Sequence, residues 1–240
     1  MKKFHFISII TLTLLILINM PNELKAQKSP IYEIAVRMVK DGMKNEFVSA
    51  RKNFITKLKA QKGVSNDREF QSFYALPKPD EREVFIGMTQ YTSMDILPEI
   101  QQQIGADFME FAKTMDLKAY VFVQLLEGKK FDLSKLALKE GQVLEIAIRK
   151  VNAGQEKEFD ESRKAFVNWL NAQEGVVGSW EFKVVGGQGT EGLTVGMSVY
   201  ESQEKFQAIA GKVQTLPEAG KYFSTFMPVA LQYAFSTNNQ

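Results

Sequence analysis

Between Tyr32 and Val39 apolar and polar side chains alternate in a stretch rich in branched residues, the period of a strand with two unlike faces. From Asn45 to Gln61 the period changes: Phe47, Ala50, Phe54 and Leu58 recur at helical spacing, and Gly63 stands where a helix-ending glycine belongs. Glu69–Leu76 and Glu83–Tyr91 read as two strands around a turn rich in proline and aspartate. Ser93 predicts the N-cap of a short helix with Ile96, Leu97 and Ile100 inward, a further helical turn carries Phe108, Phe111 and Met115, and Leu117–Leu126 reads as a last strand. The predicted order is strand, helix, strand, strand, helix, strand.

The same order is then written again. "EIAVRMVKDGMKNEF" from Glu33 returns as "EIAIRKVNAGQEKEF" from Glu145, and an offset of 112 residues lays Glu33–Val64 on Glu145–Val176. Arg37/Arg149, Gly42/Gly154, Phe47/Phe159, Arg51/Arg163, Phe54/Phe166 and Leu58/Leu170 are among the identical pairs. "FIGMTQYTS" answers "TVGMSVYES" at an offset of 109, so the hairpin of the second copy is three residues tighter. The division this predicts is a first repeat over 30–126, a charged and solvated linker over 127–141, and a second repeat over 142–238. Each repeat has the order of a ferredoxin-like βαββαβ unit, with helices on one sheet face and the other face bare. The expected fold class is α+β: two such units face to face, an intramolecular pseudo-dimeric α+β barrel of two four-stranded sheets. Two separate beads with wet sheet faces is the other disposition.

Ahead of the repeats, Lys2 and Lys3 precede a nearly unbroken apolar run from Phe6 to Met20, and Ala26 closes "NELKA". That run is shorter than the roughly 20 residues of a membrane span and has the layout of a secretory signal over 1–26, or of an uncleaved anchor. Export to the periplasm or the medium is the expectation, with no stable membrane anchor once the signal is removed. Three of the 30 Lys and Arg and one of the 28 Asp and Glu fall in this segment, so the remainder is formally neutral. No basic cluster of the kind that neutralises phosphates stands out, and nucleic acid is not an expected partner. The single histidine, His5, lies in the same segment and there is no cysteine. The mature chain therefore has no residues for thiol catalysis, a Ser-His-Asp arrangement, His- or thiolate-ligated haem or an ordinary zinc site. No cofactor and no metal is predicted.

Strand parity then separates candidate chemistry from packing. Ile34, Val36 and Met38 suit packing under helices, as do Ile146 and Ile148; Glu33, Ala35 and Arg37, repeated as Glu145, Ala147 and Arg149, take the opposite face. Gly87 and Tyr91, matched by Gly196, Ser198 and Tyr200, share that second face. Turned inward in a barrel, they make a wall that is small, aromatic and charged. Glu33, Arg37, Tyr91, Glu145, Arg149, Ser198 and Tyr200 are accordingly the candidate ligand-binding residues. An arginine would hold an anionic group and a tyrosine would lend its hydroxyl, or each Glu-x-Ala-x-Arg forms its own ion pair. Trp180 stands where the first repeat has Arg68 and joins the candidates as an aromatic wall. Arg51 and Arg163 read as solvated helix positions. The expected partner is a small molecule, anionic or aromatic; an oligomer is possible but not needed to close the barrel.

A strand followed by "V-x-x-G-x-x-x-E-F" (Val39–Phe47 and Val151–Phe159) opening a long helix that ends in "A-Q-x-G-V" resembles the antibiotic-biosynthesis-monooxygenase-like group of the dimeric α+β barrel superfamily. The resemblance spans both repeats and implies that a barrel usually built by two subunits is here built by one chain. It implies a choice between ligand binding and cofactor-free oxygenation of an aromatic or enolisable compound. The haem-dependent activities of the superfamily rely on a histidine that the mature chain lacks. An extracytoplasmic interaction module using exposed sheet edges is a further alternative.

Overall fold

The computed structural model describes residues 30–76, 81–137, 139–187 and 189–237. The expected export signal over 1–26 lies outside these residues. Strand β1 (Ile31–Val39) leads to helix α1 (Lys44–Lys59), strands β2 (Val64–Leu76) and β3 (Val84–Tyr91), helix α2 (Leu97–Ala112) and strand β4 (Met115–Gly128). The order then runs β5 (Val143–Val151), α3 (Glu156–Asn171), β6 (Val176–Gly187), β7 (Leu193–Tyr200), α4 (Gln203–Val213), α5 (Pro217–Phe223) and β8 (Phe226–Ser236). Ser202, not Ser93, caps its helix with a side chain, accepting from the Lys205 N–H at 3.2 Å.

The strands close into one antiparallel ring in the order β1-β3-β2-β8-β5-β7-β6-β4. This overturns the expected pair of ferredoxin-like βαββαβ repeats packed face to face. Instead of two four-stranded sheets stacked across a gap, β2 pairs with β8 from Phe70↔Ser236 to Leu76↔Leu231. Likewise β4 pairs with β6 from Val121↔Gly187 to Gly128↔Trp180. Hydrogen bonds therefore run without a break around a single eight-stranded barrel with five helices outside it. The reason is the cost of unpaired strand edges: β2, β4, β6 and β8 would each present a row of orphan backbone groups, and joining them edge to edge satisfies all four.

Closure also decides what lies inside. Eight strands leave an interior that side chains alone can fill. Ile34, Val36, Ile86 and Met88 meet Leu144, Ile146, Ile148, Val195 and Met197 in one buried cluster. Of these, Ile34, Val36, Ile146 and Ile148 were expected under the helices; they fill the barrel. The segment expected as a solvated linker also goes inward, with Phe131, Leu133, Leu136 and Ala137 in the same cluster while Lys129, Lys130 and Lys135 stay exposed. A 3₁₀ turn over Leu133–Lys135 shapes it, capped by Asp132, which accepts from the Ser134 N–H at 3.0 Å. The Phe131 ring stands edge-on to Tyr32 at 4.8 Å, Phe182 at 5.1 Å and Trp180 at 5.4 Å. Arg68 donates to the Ser134 carbonyl at 3.3 Å and the Trp180 indole N–H to the Lys129 carbonyl at 3.1 Å. The segment plugs one mouth of the barrel.

Because the plug and both halves share one core, unfolding by urea is expected to be a single transition seen alike by fluorescence and circular dichroism. Leu133→Ala should cost about 2–5 kcal/mol. Two separated transitions, or an unaffected Leu133→Ala midpoint, would contradict this architecture.

Candidate functional site

The predicted site residues do not line a chamber. Of the candidates, Trp180 alone faces the barrel interior, packed against the plug. Glu33, Arg37 and Tyr91 lie on the opposite face of their strands, beneath α1 and α2, because that face also carries Ile31, Val39 and Phe85, which pack against Phe47, Phe54 and Phe111. The Arg37 guanidinium lies 5.1 Å from the Phe111 ring. Glu145, Arg149, Ser198 and Tyr200 occupy the corresponding layer under α3–α5, where Arg149 lies among Phe159, Tyr222 and Phe226 at 5.4–5.9 Å. The structure brings the candidates together within each half and keeps the two sets on separate faces of the ring.

In the first half the layer is a buried ion cluster. Arg51 reaches Asp67 at 2.7 Å and contacts Glu69, and Arg37 approaches Glu69 at 3.6 Å and Glu33 at 3.9 Å. Tyr91 donates to Glu33 at 2.7 Å and Thr89 to Asp67 at 3.0 Å. Arg51 is thus buried rather than solvated, on the same helical stripe as Phe47, Phe54 and Leu58. Arg163 is buried too, bonded to Glu127 at 3.0 Å and Asp160 at 2.7 Å. In the second half Arg149 holds Glu181 through both nitrogens, at 2.5 and 3.2 Å, and contacts the Tyr222 hydroxyl. Glu145 accepts from Tyr200 at 2.5 Å and, more weakly, from Tyr233 at 3.4 Å.

The charges do not balance. In the first half two arginines face three carboxyls, one too many; in the second Arg149 faces Glu145 and Glu181, with the buried Arg163 held by Glu127 and Asp160. A net buried charge is costly, and a proton relieves it. Burial pushes the Glu33 carboxyl above the ordinary glutamate range, against the pull of Arg37 and the Tyr91 hydrogen bond. Burial likewise raises Glu69, opposed by Arg51 and Arg37, and raises the part-buried Glu145, opposed by its tyrosines. Burial works against the Arg149 charge, but Glu181 outweighs it and keeps the guanidinium protonated.

Gly87 and Gly196, which parity had placed on the candidate wall, leave room for these cations. A Cβ on Gly87 would strike the Arg37 guanidinium, and one on Gly196 would sit 2.8 Å from Arg149 Nη1. The space is therefore occupied by arginine rather than left for a ligand.

An open space lies elsewhere, at the seam where β2 meets β8. A cavity of about 570 Å³ is lined by Lys44 and Val48 of α1, Gln71 and Phe73 of β2, Phe85 of β3 and Phe235 of β8, with Ser72, Ser236 and Thr237 at its polar edge. The pairing register slips between Ser72 and Tyr74, so Phe73 is the extra residue of a bulge. Its ring is 40% exposed and stacks on Phe235 with centroids 4.6 Å apart. At the equivalent place in β6 stands Val185, buried in the cluster with Phe122. None of the predicted site residues lines this cavity. The signal that was available is the aromatic pair "SFYAL" against "QYAFS", an exposed-looking run without a counterpart in β6.

No family model matches the chain, and no curated protein is similar to it. Solved structures are similar in fold over most of its length. An anthrone oxidase-like protein aligns with a TM-score of 0.62 at 10% identity, covering 89% of this chain and 93% of that one. A candidate monooxygenase from Fusobacterium nucleatum gives 0.59 at 14%, covering 87% and 92%. A haem-binding protein from Thermus thermophilus gives 0.51 at 14%, covering 89% and 93%. The class is therefore an α+β barrel protein sharing its architecture with monooxygenase-like and haem-binding proteins.

The residues here do not fit a haem held by histidine or cysteine. The one histidine, His5, lies outside the described residues and there is no cysteine, while the layer under α3 and α5 is filled by Phe159, Phe166, Tyr222 and Phe226, whose rings lie 4.9–6.1 Å from one another. Among the described residues no group of His, Cys, Asp and Glu is placed to hold a metal ion.

Two outcomes follow from the ion layers. Glu33 and Glu69 bind protons more tightly folded than unfolded, so their stabilisation is complete below the ordinary glutamate value and is lost as pH rises through the raised ones. Stability of Glu33→Gln, measured by urea melts between about pH 5 and about pH 8, should fall less steeply with pH than that of the parent; parallel curves would mean that Glu33 is not the proton carrier. Gly196→Ala, which displaces Arg149, should cost about 1–3 kcal/mol.

Proposed function

We propose that this protein binds a small aromatic molecule in the groove at the β2–β8 seam. The observation that carries the reading is the half-open cavity of about 570 Å³ walled by Phe73, Phe85 and Phe235, within the range of roughly 300–1,000 Å³ typical of small-molecule sites. An exposed phenylalanine stacked on a second one offers a flat face to a further ring. The barrel interior is packed with side chains and plugged, so it does not compete as a site. The buried carboxyls and arginines are engaged with one another and stand outside the groove lining, which favours binding over catalysis. The layout of residues 1–26 supports placing this binding outside the cytoplasm.

Cofactor-free oxygenation of an aromatic or enolisable compound is the second reading, favoured by fold neighbours described as a candidate monooxygenase and an anthrone oxidase-like protein. Oxygen uptake with hydroquinones and anthrones that bind would decide for it.

The test of the binding reading is a thermal-shift screen with naphthalene-based compounds followed by groove variants. A compound at about a hundred times its Kd should stabilise the fold by about 2.7 kcal/mol. Val48→Trp, which fills the groove, and Phe73→Ala, which removes the stacking face, should each weaken that compound about tenfold without unfolding the protein. Affinity unchanged in both variants, or no compound that binds, would overturn the reading.

A further inference from the structure

Glu83 sits at the mouth of the groove and makes two contacts there. One carboxylate oxygen accepts from Lys44 Nζ at 2.6 Å and from Gln71 Nε2 at 3.1 Å. Both donors line the cavity, and Glu83 is held against it through them. The donors come from different elements, the first turn of α1 and β2, and converge on one carboxylate oxygen beside the Phe73–Phe235 pair. All three groups are accessible: Lys44 is 59% exposed in its side chain and Glu83 33%. A cation and an amide N–H meeting on a carboxylate next to an open aromatic wall form a seat for a carboxylate attached to a ring.

Resting on the groove reading above, we propose that the ligand is an aromatic carboxylate whose carboxyl replaces Glu83 on Lys44 and Gln71. Glu83 then acts as a built-in competitor, occupying the anion seat until a ligand with both a ring and a carboxylate displaces it. The exchange costs little in ion pairing, because the pair it breaks is exposed and screened, and one carboxylate is traded for another. A neutral ring gains only the aromatic wall. The groove thereby accepts a carboxylate without holding an unpaired lysine when it is empty.

The experiment compares 2-naphthoate with 2-naphthamide by calorimetry on the whole protein, in the parent, in Glu83→Gln and in Glu83→Gln combined with Lys44→Met. In the parent, where one carboxylate replaces another, naphthoate and the amide should bind about equally. Glu83→Gln should tighten naphthoate about threefold and leave naphthamide unchanged, a preference that shrinks in concentrated salt, and adding Lys44→Met to Glu83→Gln should erase it. A Glu83→Gln variant that treats naphthoate as the parent does overturns the carboxylate seat while leaving the groove as an aromatic site. Failure of both compounds to bind removes the groove reading itself, and this inference with it.

Discussion

A ring of strands that closes on itself constrains every other part of this molecule. Once β2 has joined β8 and β4 has joined β6, no strand edge in the ring remains to be capped or hidden, and the enclosed volume is fixed by the strand count. Eight strands enclose an interior that side chains can fill. Here it is filled and mostly apolar, and even the connection between the halves is drawn in. Arg68, which bonds the plug, and Gln232, opposite Ile146, turn inward; the other buried charged side chains of the strands take the outer face, and there the helices cover them.

That displacement explains the two ion layers. Arg37, Arg51, Glu33, Asp67 and Glu69 are held between sheet and helices, where each charge must find a partner within the layer. Glycines beneath the guanidiniums, aromatic rings above them and tyrosines on Glu33 and Glu145 complete the arrangement. A related set lies under the second half, with Ser179 in place of Asp67, Arg163 turned to Glu127 and Asp160, and Tyr222 beside Arg149, where its hydroxyl joins the shell. These clusters read as the polar component of the fold: specific, costly to disrupt, and turned away from any opening.

The opening arises where the two halves differ. Both seams must join strands that the sequence repeat leaves dissimilar, because the second hairpin is shorter and β8 replaces the pattern of β4. The register slips at this position in both seams; in one the extra residue is Val185, buried in the cluster with Phe122, and in the other it is Phe73, which stacks on Phe235 beside a groove under the start of α1. A groove built on departures from the sequence repeat is free to vary without touching the ring that holds the protein together.

Most of the secondary structure could be read from periodicity alone: β1, α1, β3 and their counterparts lie within a few residues of the stretches predicted for them, since local hydrophobic pattern and helix-ending glycines act over short distances. Alternation along a strand puts Glu33, Arg37 and Tyr91 on one face whichever way that face turns, whereas Trp180 lies on the other. Alternation has no sign, however. β1 is buried on both sides, so nothing in "IYEIAVRMV" states which side meets the helices. The one local clue was Arg51, set in the apolar stripe of α1 between Phe47 and Phe54, where it demands buried carboxylates beneath the helix. The pairing of β2 with β8 and β4 with β6, the inward turn of the linker and the groove depend on contacts between residues far apart in the chain or on one bulge in a strand. The sequence by itself determined the elements and the faces; the closure of the ring decided which face was inside, because only the assembled barrel sets how much volume there is to fill.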